Sequence, residues 1–165
     1  MMLNNTYSFG YSANYRDCNS QQALFYNMFQ EALNLNGNPF KFAARASYGT
    51  FNKRGANSNL CLGFDLWLRK GLFRVNIYIR DDSETHYFDR LIKQKEEIEA
   101  KLGFAPIWTP AGARQPNTRR IETHIPFTAY DTEDYERFFD ELLPIVMKYL
   151  EVFSDYFPEC FASER

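Results

Sequence analysis

The chain has 165 residues, of which 45% are hydrophobic and 24% charged, with a formal net charge of −2. That length and apolar share suit one domain with a sizeable core, and the slightly acidic balance excludes a strongly basic, non-specific DNA-binding domain while leaving room for a local basic patch. No run approaches the roughly 20 apolar residues of a membrane-spanning helix.

The N-terminus, "MMLNNTYSFGYSANYRD", is polar and aromatic and has no apolar signal segment. Residues 1–17 read as an irregular arm. Cys18, Cys61 and Cys160 are odd in number, far apart and free of any CxxC spacing, so they read as reduced thiols of a cytoplasmic protein. A helix is expected from Ser20 to Leu35. Asn19 or Ser20 caps it, Gly37 ends it, and Phe25, Met28, Phe29, Ala32 and Leu33 form its apolar stripe.

The hydrophobic period then changes to two. In "PFKFAARASYG" it puts Phe40, Phe42, Ala44, Ala46 and Tyr48 on one face of a strand. The loop "NKRGANSN" follows and reads as mobile. In "NLCLGFDLWLRK", Leu60, Leu62, Phe64, Leu66 and Leu68 alternate with Cys61, Gly63, Asp65, Trp67 and Arg69. After a turn at Lys70-Gly71, "FRVNIYIR" sets Phe73, Val75, Ile77 and Ile79 against Arg74, Asn76, Tyr78 and Arg80. These three runs predict an antiparallel meander with one face in the core.

"DDSETHYFDRLIKQKEEIEAKLG" predicts one helix capped by Asp82 or Ser83. Its stripe is Phe88, Leu91, Ile92, Lys95, Ile98 and Leu102, and Gly103 stands where a helix C-terminus favours positive φ. Glu97 and Lys101 are an i,i+4 pair. "FAPIW" is a short strand and "TPAGARQPN" a loop. "TRRIETHIPF" is a strand with Arg119, Ile121, Thr123 and Ile125 on one side and Arg120, Glu122 and His124 on the other. The last helix starts near Thr132 with Asp131 as its cap. Its broad apolar face runs from Tyr135 to Phe153, and Pro144 kinks it near Asp140 to Glu141.

The expected fold class is α+β: an antiparallel sheet of about five strands with three helices, in the order α-βββ-α-ββ-α, helices packed on the sheet. Residues 18–157 form the domain and 158–165 a frayed tail. The aromatic share of 18% is expected mainly in the core.

No catalytic constellation is legible. His86 and His124 are the only histidines and lie on different elements without ligand spacing, so no metal or other cofactor is assigned. There is no GxSxG and no phosphate-binding glycine loop. A restriction-type nuclease needs strand carboxylates followed closely by a lysine. Asp65, Asp81 or Asp82 with Lys70 are the residues an alternative reading, a small metal-dependent nuclease or nucleotide-processing enzyme, would use.

The basic residues carry more. Lys53 and Arg54 share a loop. Arg69, Lys70, Arg74 and Arg80 lie on or beside one hairpin, interspersed with Trp67, Asn76 and Tyr78, and Arg114, Arg119 and Arg120 lie in a second loop and strand. If the non-core face of the hairpin is open, Trp67, Arg69, Lys70, Arg74, Tyr78, Arg80, Arg119 and Arg120 are candidates for holding phosphates and stacking bases. The plainer reading is a solvated sheet face with cross-strand pairs, such as Asp65 with a facing arginine.

The succession "FRVNIYI", "FDRLIKQKEEIEAKLG", "IW", "RRI" and a late aromatic helix resembles a bacterial domain family of unknown function. Its pattern here is Phe88, Leu91, Gln94 to Glu99, Gly103 and Trp108, and the resemblance extends over residues 20–157. This chain departs from the pattern at Asn76, where a glutamate is usual, and at Phe25 or Tyr26, where the first helix tends to carry tryptophan. The family is found as a C-terminal domain in restriction-endonuclease-like and other defence-associated proteins, and the resemblance supplies no catalytic residues. It implies an α+β accessory domain in a defence or mobile-element setting, and with the absent catalytic constellation and the aromatic surplus it points to a non-catalytic binding or accessory module of a bacterial or phage defence-related system. Such a module acts through a protein partner, a homodimer or nucleic acid, without a membrane. A structural subunit of a larger complex is a third reading.

Overall fold

The computed structural model describes residues 15–16, 18–37, 42–45, 48–50, 59–129 and 131–158. The loop at 51–58, most of the arm and most of the tail lie outside them, as do Lys53 and Arg54. The fold is α+β, as expected, with more elements than five strands and three helices. Among the described residues, seven strands form one sheet in the order β1-β2-β3-β4-β5-β7-β6, and four α-helices pack on it.

Strand β1 (Tyr15–Arg16) lies inside the expected arm. Parallel pairing with β2 (Ala43–Arg45) gives its backbone groups partners that the side-chain pattern does not announce. Helix α1 (Ser20–Leu35) begins with a capping box. The Asn19 side chain accepts from the Gln22 amide at 2.8 Å, and Gln22 Oε1 accepts from the Asn19 amide at 3.0 Å.

The strand expected across residues 40–48 is two. β2 pairs antiparallel with β3 (Tyr48–Thr50), Arg45 opposite Tyr48 and Ala44 opposite Gly49. The chain reversal between Arg45 and Tyr48 breaks the period-two count. Tyr48 therefore shares a face with Arg45 and stands 44% exposed, while Phe42 and Ala44 are buried. β4 (Leu60–Trp67) and β5 (Leu72–Arg80) are joined by a 3₁₀ turn at Leu68–Lys70 and by Gly71, whose φ of +60° suits glycine.

The single helix expected after β5 is also two: α2 (Tyr87–Ile92) and α3 (Lys95–Leu102). A turn at Lys93-Gln94 interrupts the three- and four-residue steps. Ile92 and Lys95, which one continuous stripe would bury, are exposed, whereas Leu91, Ile98 and Leu102 are buried. β6 (Ile107–Thr109) is an edge strand, and β7 (Thr118–Pro126) inserts between it and β5. Helix α4 (Tyr135–Tyr156) follows a 3₁₀ turn at Thr132–Asp134. It starts three residues later than expected, and the Asp131 carbonyl serves that turn by accepting from the Asp134 amide.

All four helices bury their apolar residues in one cluster with Leu60, Leu62, Phe64, Leu66, Phe73, Val75, Ile77, Ile79, Ile121 and Ile125 of the sheet. Aromatic rings dominate it, as the composition predicts. Phe25 makes edge-on or tilted ring contacts with Phe73, Phe127, Tyr135, Phe138 and Phe139. Among the described residues no helix lies on the other face of the sheet.

Candidate functional site

Alternation along each strand sends every second side chain to the face opposite the described helices, and strand register arranges them in rows. One row crosses four strands: Tyr48, Asp65, Arg74 and His124. On the side of the β4–β5 turn lies a row of Trp67, Leu72 and Pro126. On the other side come Gly63, Asn76, Glu122 and Ile107, then Cys61, Tyr78, Arg120 and Thr109. Arg80 and Thr118 complete it.

The centre is a polar chain. Arg74 donates from Nε and Nη2 to Asp65 Oδ2 at 2.9 and 2.7 Å, and from Nη1 to Glu122 Oε2 at 3.3 Å. Glu122 Oε1 meets His124 Nε2 at 3.0 Å. Asn76, only 5% exposed, reaches Asp65 Oδ2 at 3.4 Å. These are the cross-strand pairs of a sheet face, with one guanidinium shared between two carboxylates and offsetting one of their two charges. Arg74 is thus held in place rather than free.

Around this centre, cations sit over aromatic rings. Lys70 Nζ is 4.1 Å from the Trp67 ring centre and Arg74 Cζ 5.4 Å from it. Arg120 Cζ lies 5.1 Å from the Tyr78 ring, and Arg120 also donates to Gln115 Oε1 at 3.1 Å. Arg69 and Arg80 are exposed and make no ion pair among the described residues.

Of the sequence candidates, Trp67, Arg74, Tyr78, Arg80 and Arg120 lie on this face, and Arg69 and Lys70 lie in the 3₁₀ turn at its end. Arg119 does not join them. It alternates with Arg120 and so falls on the opposite side, where its Nε is 3.8 Å from the buried Asp82 carboxylate. Tyr48, Glu122 and His124 are the additions. The alternation of "RRIETH" places Glu122 and His124 beside Arg120, but only register brings them to Arg74.

The carboxylates of the nuclease reading are not assembled. Asp82 caps α2, Asp81 is exposed at a left-handed turn residue, and Asp65 is bound by Arg74. Among the described residues no group of three or more His, Cys, Asp or Glu is placed to hold a metal ion. No described helix is long and apolar enough to cross a membrane.

Comparison with curated proteins and with solved structures gives no match. Residues 20–157 match the family model described as a domain of unknown function, DUF4268. That is well over half of the chain, and the chain belongs to this family.

Proposed function

We propose that this member of the DUF4268 family is a binding module that takes single-stranded nucleic acid on the sheet face opposite its described helices. The observation that supports this reading is the pairing of aromatic rings with cations there: Trp67 with Lys70, Tyr78 with Arg120, and the exposed Tyr48 one row from Trp67. Stacking on such rings contributes about 1–3 kcal/mol per base and needs bases that a duplex keeps paired and stacked. Six steps along β5 lead from Leu72, the neighbour of Trp67, to Tyr78, about 20 Å at strand rise, enough for several nucleotides.

The net charge of −2 is no obstacle, because the field that matters is local. Arg74 offsets one of the two charges of Asp65 and Glu122, and Arg69, Lys70, Arg80 and Arg120 at the two ends of the face still leave it a positive balance. A cytoplasmic, defence-related setting in bacteria or phage is part of the proposal and rests on the resemblance of the central segment. Self-association is a second reading, favoured by the edge strand β6 with Ile107 half exposed. Light scattering separates monomer from dimer.

The test is a titration with single-stranded DNA and RNA oligonucleotides, read by tryptophan fluorescence. Of the two tryptophans, Trp108 is bonded to Glu99, so quenching should report Trp67 and vanish in Trp67→Phe. Trp67→Ala and Tyr78→Ala should each weaken binding about fivefold or more. Replacing Lys70, Arg80 and Arg120 together by alanine should lower the salt slope by roughly two to three. Absence of salt-sensitive binding to any single strand would sink the proposal.

A further inference from the structure

We propose that the same face cleaves RNA by a metal-independent transesterification with His124 as general base, an inference that rests on the nucleic-acid-binding reading above. Its starting point is the direction of one hydrogen bond. Glu122, a carboxylate paired with Arg74, only accepts, so the proton in its 3.0 Å contact with His124 belongs to Nε2. That fixes the tautomer of the neutral ring and leaves Nδ1 with its lone pair. The His124 side chain is one-third exposed and Glu122 is nearly buried, the arrangement of a base held by an orienting partner.

The neighbouring groups match the rest of the reaction. Arg74 stands opposite His124 across the β5–β7 ladder. Three of its five N–H donors hold Asp65 and Glu122, and two remain for a phosphate oxygen. Trp67, 5.4 Å from the same guanidinium, offers a stacking surface for the adjoining base, and Lys70 adds a second cation. A base, an anchored cation and a stacking ring thus lie in two adjacent rows.

The substrate class follows from the nucleophile. His124 Nδ1 takes the proton of a ribose 2′-hydroxyl, and the 2′-oxygen forms a bond to the adjacent phosphorus. The bond from phosphorus to the 5′-oxygen breaks, and that oxygen takes a proton from water. The products are a 2′,3′-cyclic phosphate and a 5′-hydroxyl. No oxidant or co-reactant is required. DNA, lacking the 2′-hydroxyl, binds without being cut.

The experiment incubates the purified full chain with end-labelled single-stranded RNA and matched DNA in EDTA, beside the binding titration. Cleavage of RNA alone, with 2′,3′-cyclic phosphate ends, is expected. His124→Asn should lower the rate by roughly 10²–10⁴-fold with binding unchanged. Glu122 is a positioning residue: Glu122→Gln should lower kcat far more than it changes the KM for RNA, a split that a general loss of structure would not give. RNA bound but uncut overturns the inference and leaves the binding reading standing, whereas no binding overturns both. Cleavage that EDTA abolishes, that His124→Asn leaves intact, or that extends to DNA also overturns it.

Discussion

Asp82 shows how one side chain is committed to the fold rather than to chemistry. It is 2% exposed, and its carboxylate accepts from the amides of Tyr87 and Phe88 at 2.7 and 2.9 Å and from Thr85 Oγ1 at 2.6 Å. His86, at the formal cap position of α2, has a left-handed backbone and makes no capping bond, so Asp82 supplies acceptors for the first turn from outside the helix. Asp82→Ala should lower unfolding free energy by about 1–3 kcal/mol in urea titration, since two backbone donors lose their acceptor. Ser83→Ala, the other cap suggested by sequence, should leave it unchanged; equal losses would contradict this account. Sequence offered Asp82 both as a cap and as a nuclease carboxylate, and burial decides between them. For the candidate site the limit was different. Period-two alternation places Trp67, Arg74, Tyr78, Arg80 and Arg120 on that face, but His124 gains its neighbour Arg74 through a strand partner fifty residues away (124 − 74), which no local pattern encodes.

Elements with strong patterns were legible, and those interrupted by tertiary packing were not. β4, β5 and β7 follow their alternation, and α1 follows its capping box. The α2–α3 break contains no glycine or proline and so gave no signal. Helix α4 presents the opposite case, because it runs unbroken through Pro144. Proline lacks the amide that would donate to the Asp140 carbonyl, and both residues are exposed, so water reaches the unpaired oxygen. Beside them is an open groove of about 400 Å³ lined by Asn36, Asp140, Leu143, Pro144 and Met147. Pro144→Ala should restore one helix bond and remove the ring's conflict with the preceding turn. The expected gain is about 1 kcal/mol or more in thermal or urea unfolding. A clear loss instead would mean that packing of the ring in this groove outweighs helix propensity.

At the scale of the molecule, the division of the sheet into an apolar face under four helices and a polar face on which no described helix lies follows from alternation and is readable in the sequence. The number of strands is not, because β1, β2 and β3 are two or three residues long and owe their existence to pairing, whereas the short β6 is legible in "FAPIW". The aromatic share of the composition points to the core, and the burial of three tyrosines there has a consequence for pH. Tyr26 and Tyr149 are fully buried and Tyr135 nearly so. Burial pushes all three hydroxyls above the ordinary tyrosine range. Cys18 and then Asp65 add to the rise at Tyr26, while the 2.7 Å bond to Thr123 only partly offsets it at Tyr149. In the unfolded chain the same groups ionise near pH 10. Between the two values the unfolded state releases protons that the folded state retains, so the stability these tyrosines contribute is complete below about pH 10 and declines above it. Each contributes a slope of up to about 1.4 kcal/mol per pH unit. Urea midpoints should therefore be nearly level from pH 8 to about 10 and then fall steeply, with tyrosinate absorbance at these positions appearing only as secondary structure is lost. Tyr149→Phe should reduce the alkaline slope while losing the Thr123 bond at neutral pH. If all 11 tyrosines ionised with helix and sheet intact, the buried hydroxyls could not be where the core places them.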